Sequence, residues 1–277
     1  MAVLLPILFL IMAILVAVAW FIGQPWLRRR RRLALAARPF PEQWQRWLRE
    51  RTTLYERLPQ PLRERLHGLI QIFVREKTFV GCNGLVVTDE MRVVIAAYAC
   101  LLVINRRDVP RAHFYDELFS LLVYPTPFIV PETHHVGHGV VTEGHRVLSG
   151  QAWDSRRIIL SWQDIEESLA GGHNVVLHEF AHYLDMEDET MNGAPGLGST
   201  RAYAEWSQVF WHEYDQLRAD ILAGKATFLD PYAATEPAEF FAVVTEVFFQ
   251  RPQELELQHA GLYGQLRKYY RVDPARW

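Results

Sequence analysis

"NVVLHEFAHYLDMED", residues 174–188, puts His178 and His182 four positions apart, with Glu179 directly after the first. Val175, Val176, Leu177, Phe180, Ala181 and Leu184 surround them, so the segment is apolar on nearly every side. A helix apolar all round is a buried helix. Uncompensated ionisable groups inside it would cost several kcal/mol each. Gly171-Gly172 and Asn174 supply a helix start just ahead of the run. The fold must therefore bring compensating groups to this one helix.

An α-helix advances about 3.6 residues per turn, so His178 and His182 project from the same face one turn apart. Both imidazoles can then meet on one ion, and paired imidazoles suit Zn2+. Glu179 is turned about 100° away, which directs it at a water on that ion rather than at the ion. Catalytic zinc sites take three protein ligands and keep one open position. The pattern HExxHxxGxxH, which takes its third ligand from a nearby histidine, is absent, since Asp185 and Asp188 stand where its glycine and last histidine would be. A carboxylate farther along is thus expected as third ligand. "DPYAATEPAEFFAVVTEVFF" (230–249) offers a second nearly all-apolar helix opened by Pro237. Glu239 and Glu246 lie on it seven apart, hence on one face. Glu239 is the expected ligand; Glu246 is either a support for a ligand or the ligand itself. Asp185, seven after His178, can orient a ligand imidazole or serve as a cap or surface ion-pair partner.

The rest of the chain sets the context. It has 277 residues, 50% of them hydrophobic, and a net charge of −3. Five of its 29 basic residues are consecutive, Arg28 to Arg32, so the remainder is more acidic than the total implies. That excludes an evident nucleic-acid surface. Two cysteines, Cys82 and Cys100, make neither a disulfide framework nor a four-ligand structural zinc site. Residues 2–22, "AVLLPILFLIMAILVAVAWFI", carry no charge, and about 20 such residues suffice for a transmembrane helix. The arginines follow the apolar run, whereas a cleaved signal peptide carries its positive charges before it. The expectation is a single-pass anchor in a bacterial inner membrane, with the catalytic domain facing the cytoplasm. Three segments result: 1–27 as transmembrane anchor, 28–39 as basic juxtamembrane linker, and 40–277 as one globular domain.

Within that domain, 41–58 and 60–79 space apolar residues three and four apart, as packed amphipathic helices do. Residues 88–108 read as a buried core helix started by Thr88. Strands are expected at 121–130 and 156–162, with 146–153 between them and a bend at Ser149-Gly150. The histidine-rich "ETHHVGHG" (132–139) reads as a loop, and Trp206, Phe210, Trp211 and Tyr214 as core. The expected fold class is α+β: a domain with a helical N-terminal part and a small mixed sheet, preceded by one transmembrane helix.

"HEFAHYLD" followed by "DPYAATEPAEFFAV", together with "YPTPFIV", "RVLSGQAW" and "IILSWQDIEES", resembles the Mlc titration factor A family of bacterial zinc metallopeptidases. The likeness runs from about residue 50 to the C-terminus. It implies a gluzincin, lethal-factor-like catalytic domain in which His178, His182 and Glu239 bind one zinc and Glu179 is the general base. The family also has a tyrosine seven residues before its ligand glutamate. Tyr232 stands there, and its hydroxyl would stabilise the oxyanion. A peptide or protein substrate is implied, and an extended one could add as a strand along Ser149, Gly150 and Gln151. The family is known for a cytosolic member that binds the glucose repressor Mlc as well as cleaving peptides. The competing expectation is therefore a membrane-tethered protein that sequesters a cytoplasmic transcriptional regulator with little or no turnover.

Overall fold

The structure, a computed structural model, describes residues 4–277 apart from 107–108, 110–113, 137–139, 149, 155–156, 170–172 and 189. Among the described residues, ten α-helices and six strands follow one another. A long helix α1 (Leu4–Ala36) leads into α2 (Glu42–Arg51), α3 (Gln60–Glu76), β1 (Thr78–Gly81) and α4 (Asp89–Leu102). The strands β2 (Ser120–Tyr124), β3 (Phe128–Val136), β4 (Val140–Leu148), β5 (Gly150–Asp154) and β6 (Arg157–Ser161) come next. The remainder is helical: α5 (Trp162–Leu169), α6 (Val175–Asp185), α7 (Thr200–Leu222), α8 (Pro237–Gln250), α9 (Pro252–Gln258) and α10 (Ala260–Tyr270).

Local chemistry sets these boundaries. The Thr88 hydroxyl accepts the N–H of Met91 at 3.2 Å and starts α4, which is buried from Val93 to Leu102. Pro59 and Pro61 end the preceding segment and open α3. Lys77 then leaves the helix, so β1 occupies positions where the apolar spacing had suggested continued helix. The expected strand 121–130 is divided. Pro125 and Pro127 interrupt it, β2 joins one sheet, and β3 pairs antiparallel with β4 as a separate two-stranded ribbon. Part of "ETHHVGHG" thus lies in β3 rather than a loop, and 137–139 fall outside the described residues.

The main sheet has the order β1-β2-β6-β5. Three strands run parallel, with Leu121 opposite Phe79 on one side and Ile158 on the other. Strand β5 adds antiparallel at the edge, pairing Gly150 with Leu160 and Gln151 with Ile159. Helix α6 packs against β5, β6, α4 and α8, which makes it the centre of the domain. Phe180 of α6 meets Tyr115 edge-on at 5.1 Å between ring centroids, and Phe73 lies at 5.9 Å. On the far side, Trp206, Phe210 and Tyr214 of α7 pack on Phe240 and Phe241 of α8. These three are buried as expected, whereas Trp211 is half exposed. Cys100 is buried and Cys82 is only partly so.

Two features of the expected fold need correction. The chain is mostly helical around a small parallel sheet, with β5 as a single antiparallel addition. Nor is the fold preceded by a transmembrane helix: among the described residues, no helix is long and apolar enough to cross a membrane. The apolar stretch is not a separate rod. It continues through Pro25 and all five arginines to Ala36 as one 33-residue helix. The end of that helix is part of the fold, since α1 packs on α3 and Ala36 abuts Gly68, where an added Cβ would come within 2.9 Å of the Ala36 Cβ. The single-pass inner-membrane location, which rested on the apolar stretch, falls with it.

Arg32 fastens α1. Only 1% of its surface is exposed, and it donates to Glu76 at 2.9 and 2.7 Å and to Asp116 at 2.6 Å. Burial opposes its charge, but the two carboxylates outweigh that and hold the guanidinium above its ordinary pKa. Replacing Arg32 by Ala should destabilise the protein by about 1–3 kcal/mol, because the stranded acids are partly solvated. Thermal melting of R32A, with Arg31→Ala as the exposed control, measures this; equal melting points would refute the latch.

Candidate metal centre

The N-terminus of α6 is built around one carboxylate. Asn174 caps the helix, its Oδ1 accepting the Leu177 N–H at 3.0 Å. Glu246, from α8, accepts the backbone N–H of Asn174 on Oε2 at 2.7 Å. Its other oxygen, Oε1, accepts Nδ1–H of His178 at 2.8 Å. The same Glu246 Oε2 lies 2.7 Å from Nδ1 of His173. An acid with 4% of its side chain exposed is tolerated because three N–H groups converge on it. Burial would raise its pKa, but the bonds from His173 and His178 prevail and lower it.

With Nδ1 of His178 committed to Glu246, Nε2 points the opposite way. It lies 3.0 Å from Oε2 of Glu239 and 3.1 Å from Nε2 of His182. Nε2 of His182 lies 3.4 Å from that same Glu239 oxygen. Two ring nitrogens and a carboxylate oxygen therefore crowd one point, each offering a lone pair. Such atoms repel unless a cation, either a proton or a metal, sits among them. These donors suit a divalent transition metal, and His178, His182 and Glu239 form a set whose ligand atoms can share one ion. Burial disfavours a charged His178, yet hydrogen bonds to Glu239 and Glu246 push its imidazole up to about 10. Burial likewise pushes Glu239 up, but its bonds to the two histidines hold it well below the usual carboxylate range.

Glu179 is buried beside this cluster. Its Oε2 has no hydrogen-bond partner among the described residues, and burial raises its pKa. A buried carboxyl oxygen lacking a protein partner is one that can take up a proton. Tyr232 sits in a short 3-10 turn, Pro231–Ala234, started by Asp230, whose Oδ1 accepts the Tyr232 backbone N–H at 2.8 Å. Tyr232 is 37% exposed, and its ring centroid lies 6.2 Å from that of His178. Pro237 begins α8 and places Glu239 in its first turn, and Glu246 two turns later on the same side.

The other expected residues lie outside the three-donor cluster. Asp185 is fully buried and its Oδ2 accepts the Gly193 N–H at 2.8 Å, fixing the loop after α6. Gly193 is required there: its φ is +76°, and a Cβ would come within 2.5 Å of the Pro237 carbonyl oxygen. Gly150 and Gln151 lie on edge strand β5, against which α6 packs, and Ser149 lies outside the described residues. The sequence reading overlooked His173. Its signal was available: it is a third imidazole-bearing position one residue before the helix cap, and a cap position faces the same neighbours as the first turn.

The chain is 42% identical over 275 residues to an uncharacterized protein of Synechocystis sp., covering 98% of both chains. It is 35% identical over 221 residues to proteins named Mlc titration factor A from Yersinia pestis and Yersinia pseudotuberculosis, covering 78% of this chain and 80% of theirs. Residues 25–271 match the family described as glucose-regulated metallo-peptidase M90, and the chain belongs to that family.

Proposed function

We propose that the protein is a zinc-dependent peptidase whose metal is held by His178, His182 and Glu239, within a catalytic domain spanning 40–277. The convergence of three donor atoms from α6 and α8, 3.0 to 3.4 Å apart, carries this reading. Membership of a metallopeptidase family accounts for the metal. Imidazole and carboxylate donors together favour zinc among the candidates. Zinc in such a site lowers the pKa of a water ligand toward about 7 and polarises a carbonyl.

The chain's own residues supply the remaining chemistry. Glu179 takes a proton from the attacking water and returns it to the amine that leaves, so the carboxylate is regenerated. Its burial, which raises the pKa, suits an acid that must give the proton back. Tyr232 donates its hydroxyl to the negative charge that develops on the carbonyl oxygen, a contribution of roughly 3 kcal/mol for one such donor. Glu246 fixes the His178 ring so that Nε2 faces the metal, as carboxylates behind ligand imidazoles do. An extended peptide fits alongside β5 at Gly150 and Gln151, where main-chain hydrogen bonds can hold it.

A second reading draws on the printed name of the Yersinia relatives, which points to a regulator, Mlc, as a partner. Carried to this chain, it is a complex with a regulatory protein, alongside or instead of turnover. The two are separable. Glu179→Gln should lower peptide hydrolysis by about 100- to 10,000-fold while metal content stays at one per chain. A binding role would leave complex formation in that variant intact. Assay against free and N-blocked peptides, with and without chelator, measures hydrolysis and separates exo- from endopeptidase action; full activity of E179Q would refute the mechanism.

The metal assignment is tested apart from activity. His182→Ala should release the ion, read by elemental analysis of the purified protein. Glu246→Gln should weaken metal affinity by about 10- to 100-fold in a chelator competition, since ring orientation is lost but no ligand is removed. Unchanged affinity in E246Q would separate Glu246 from the metal.

A further inference from the structure

The arginine run is not absorbed by the proposed peptidase chemistry. Three of its members, Arg28, Arg31 and Arg32, line a cavity of about 630 Å³ between the end of α1, the end of α3 and residues 116–119. That volume is within the range of small-molecule sites, roughly 300–1,000 Å³. Its charges divide into two groups. Glu76 and Asp116 are consumed by Arg32, and Asp116 also lies 3.5 Å from Arg28. Arg31, Arg38 and Arg75 also line the cavity, and among the described residues none has a carboxylate within ion-pair distance.

Lys77 adds a fourth positive charge at the cavity wall. It is 8% exposed, and its ammonium donates to the carbonyl oxygens of Leu118, at 2.8 Å, and Tyr115 rather than to an acid. Concentrating like charges in a concavity is unfavourable in the free protein and favours an anion of several charges. Guanidinium groups match phosphate oxygens in geometry, and their hydrogen bonds to it are strong because both partners are charged. Beside them, Leu35 and Phe119 also line the cavity, and Phe119 is 59% exposed. An apolar surface next to a cationic one suits a phosphate ester that carries an apolar part.

We infer that this cavity binds a phosphate-bearing anion, recognised by Arg31, Arg38, Arg75 and Lys77, at a site separate from the metal centre. The same chemistry is offered by a soluble phosphate compound and by a phospholipid headgroup. Two probes distinguish them: sodium tripolyphosphate in calorimetric titration, and phosphatidylcholine vesicles with and without phosphatidylglycerol in co-sedimentation. Both use the full chain at about 0.1 M salt, where long-range attraction between exposed charges is largely screened.

Binding of either probe is expected, and it should weaken about tenfold or more in the variant R31Q/R38Q/R75Q, because three charge-assisted contacts are removed. Tripolyphosphate binding without vesicle binding assigns a soluble ligand; anionic-vesicle binding alone assigns a headgroup. Circular dichroism and melting check that the variant folds, and the single variant Arg75→Gln serves if it does not, with a smaller loss expected. Failure of both probes to bind the parent chain, or undiminished binding by the folded variants, overturns the inference.

Discussion

Helices α6 and α8 face one another across the middle of the domain, and each carries charge into an interior that would otherwise exclude it. The imidazoles of α6 and the carboxylates of α8 meet in pairs: His178 with Glu246 on one side, His178 and His182 with Glu239 on the other. Neither helix could be buried alone. An unpaired charge in either would outweigh much of what its apolar residues gain on burial. The sheet and the aromatic clusters around Phe180 and Phe240 hold the two helices at the separation this matching needs.

The sequence carried this arrangement plainly because its physics is local in each half. Four-residue spacing puts His178 and His182 on one face, and seven-residue spacing does the same for Glu239 and Glu246, whatever surrounds them. That the halves would meet followed from charge, since each needed the other. What Asp185 touches could not be read in this way. Its partner is a backbone N–H in a loop whose path is set by Gly193 and by the Pro237 carbonyl, a tertiary fact with no periodic trace. His173 was missed for a related reason, since its role depends on where Glu246 points.

The N-terminal stretch misled for a different reason. Hydropathy registers how apolar a window is, and residues 2–22 carry no charge. It does not register that the helix extends past the arginines, nor that one of them, Arg32, is among the largest fully buried side chains. A run of five like residues looks uniform on paper, yet the fold makes them unequal. One closes an ion-pair latch, while its neighbour Arg31 faces a cavity. Strand limits failed more modestly: Pro125 cut a single apolar run in two, and the pieces went to different sheets.

Glu246 grips three things at once: the first N–H of the α6 cap, the ring of His173 and the ring of His178. Unwinding the first turn of α6 and disordering His178 are therefore one event rather than two. Any segment that pulled on residues 173–174 from outside would reach the centre of the domain through a single oxygen-rich side chain, without moving the body of the helix.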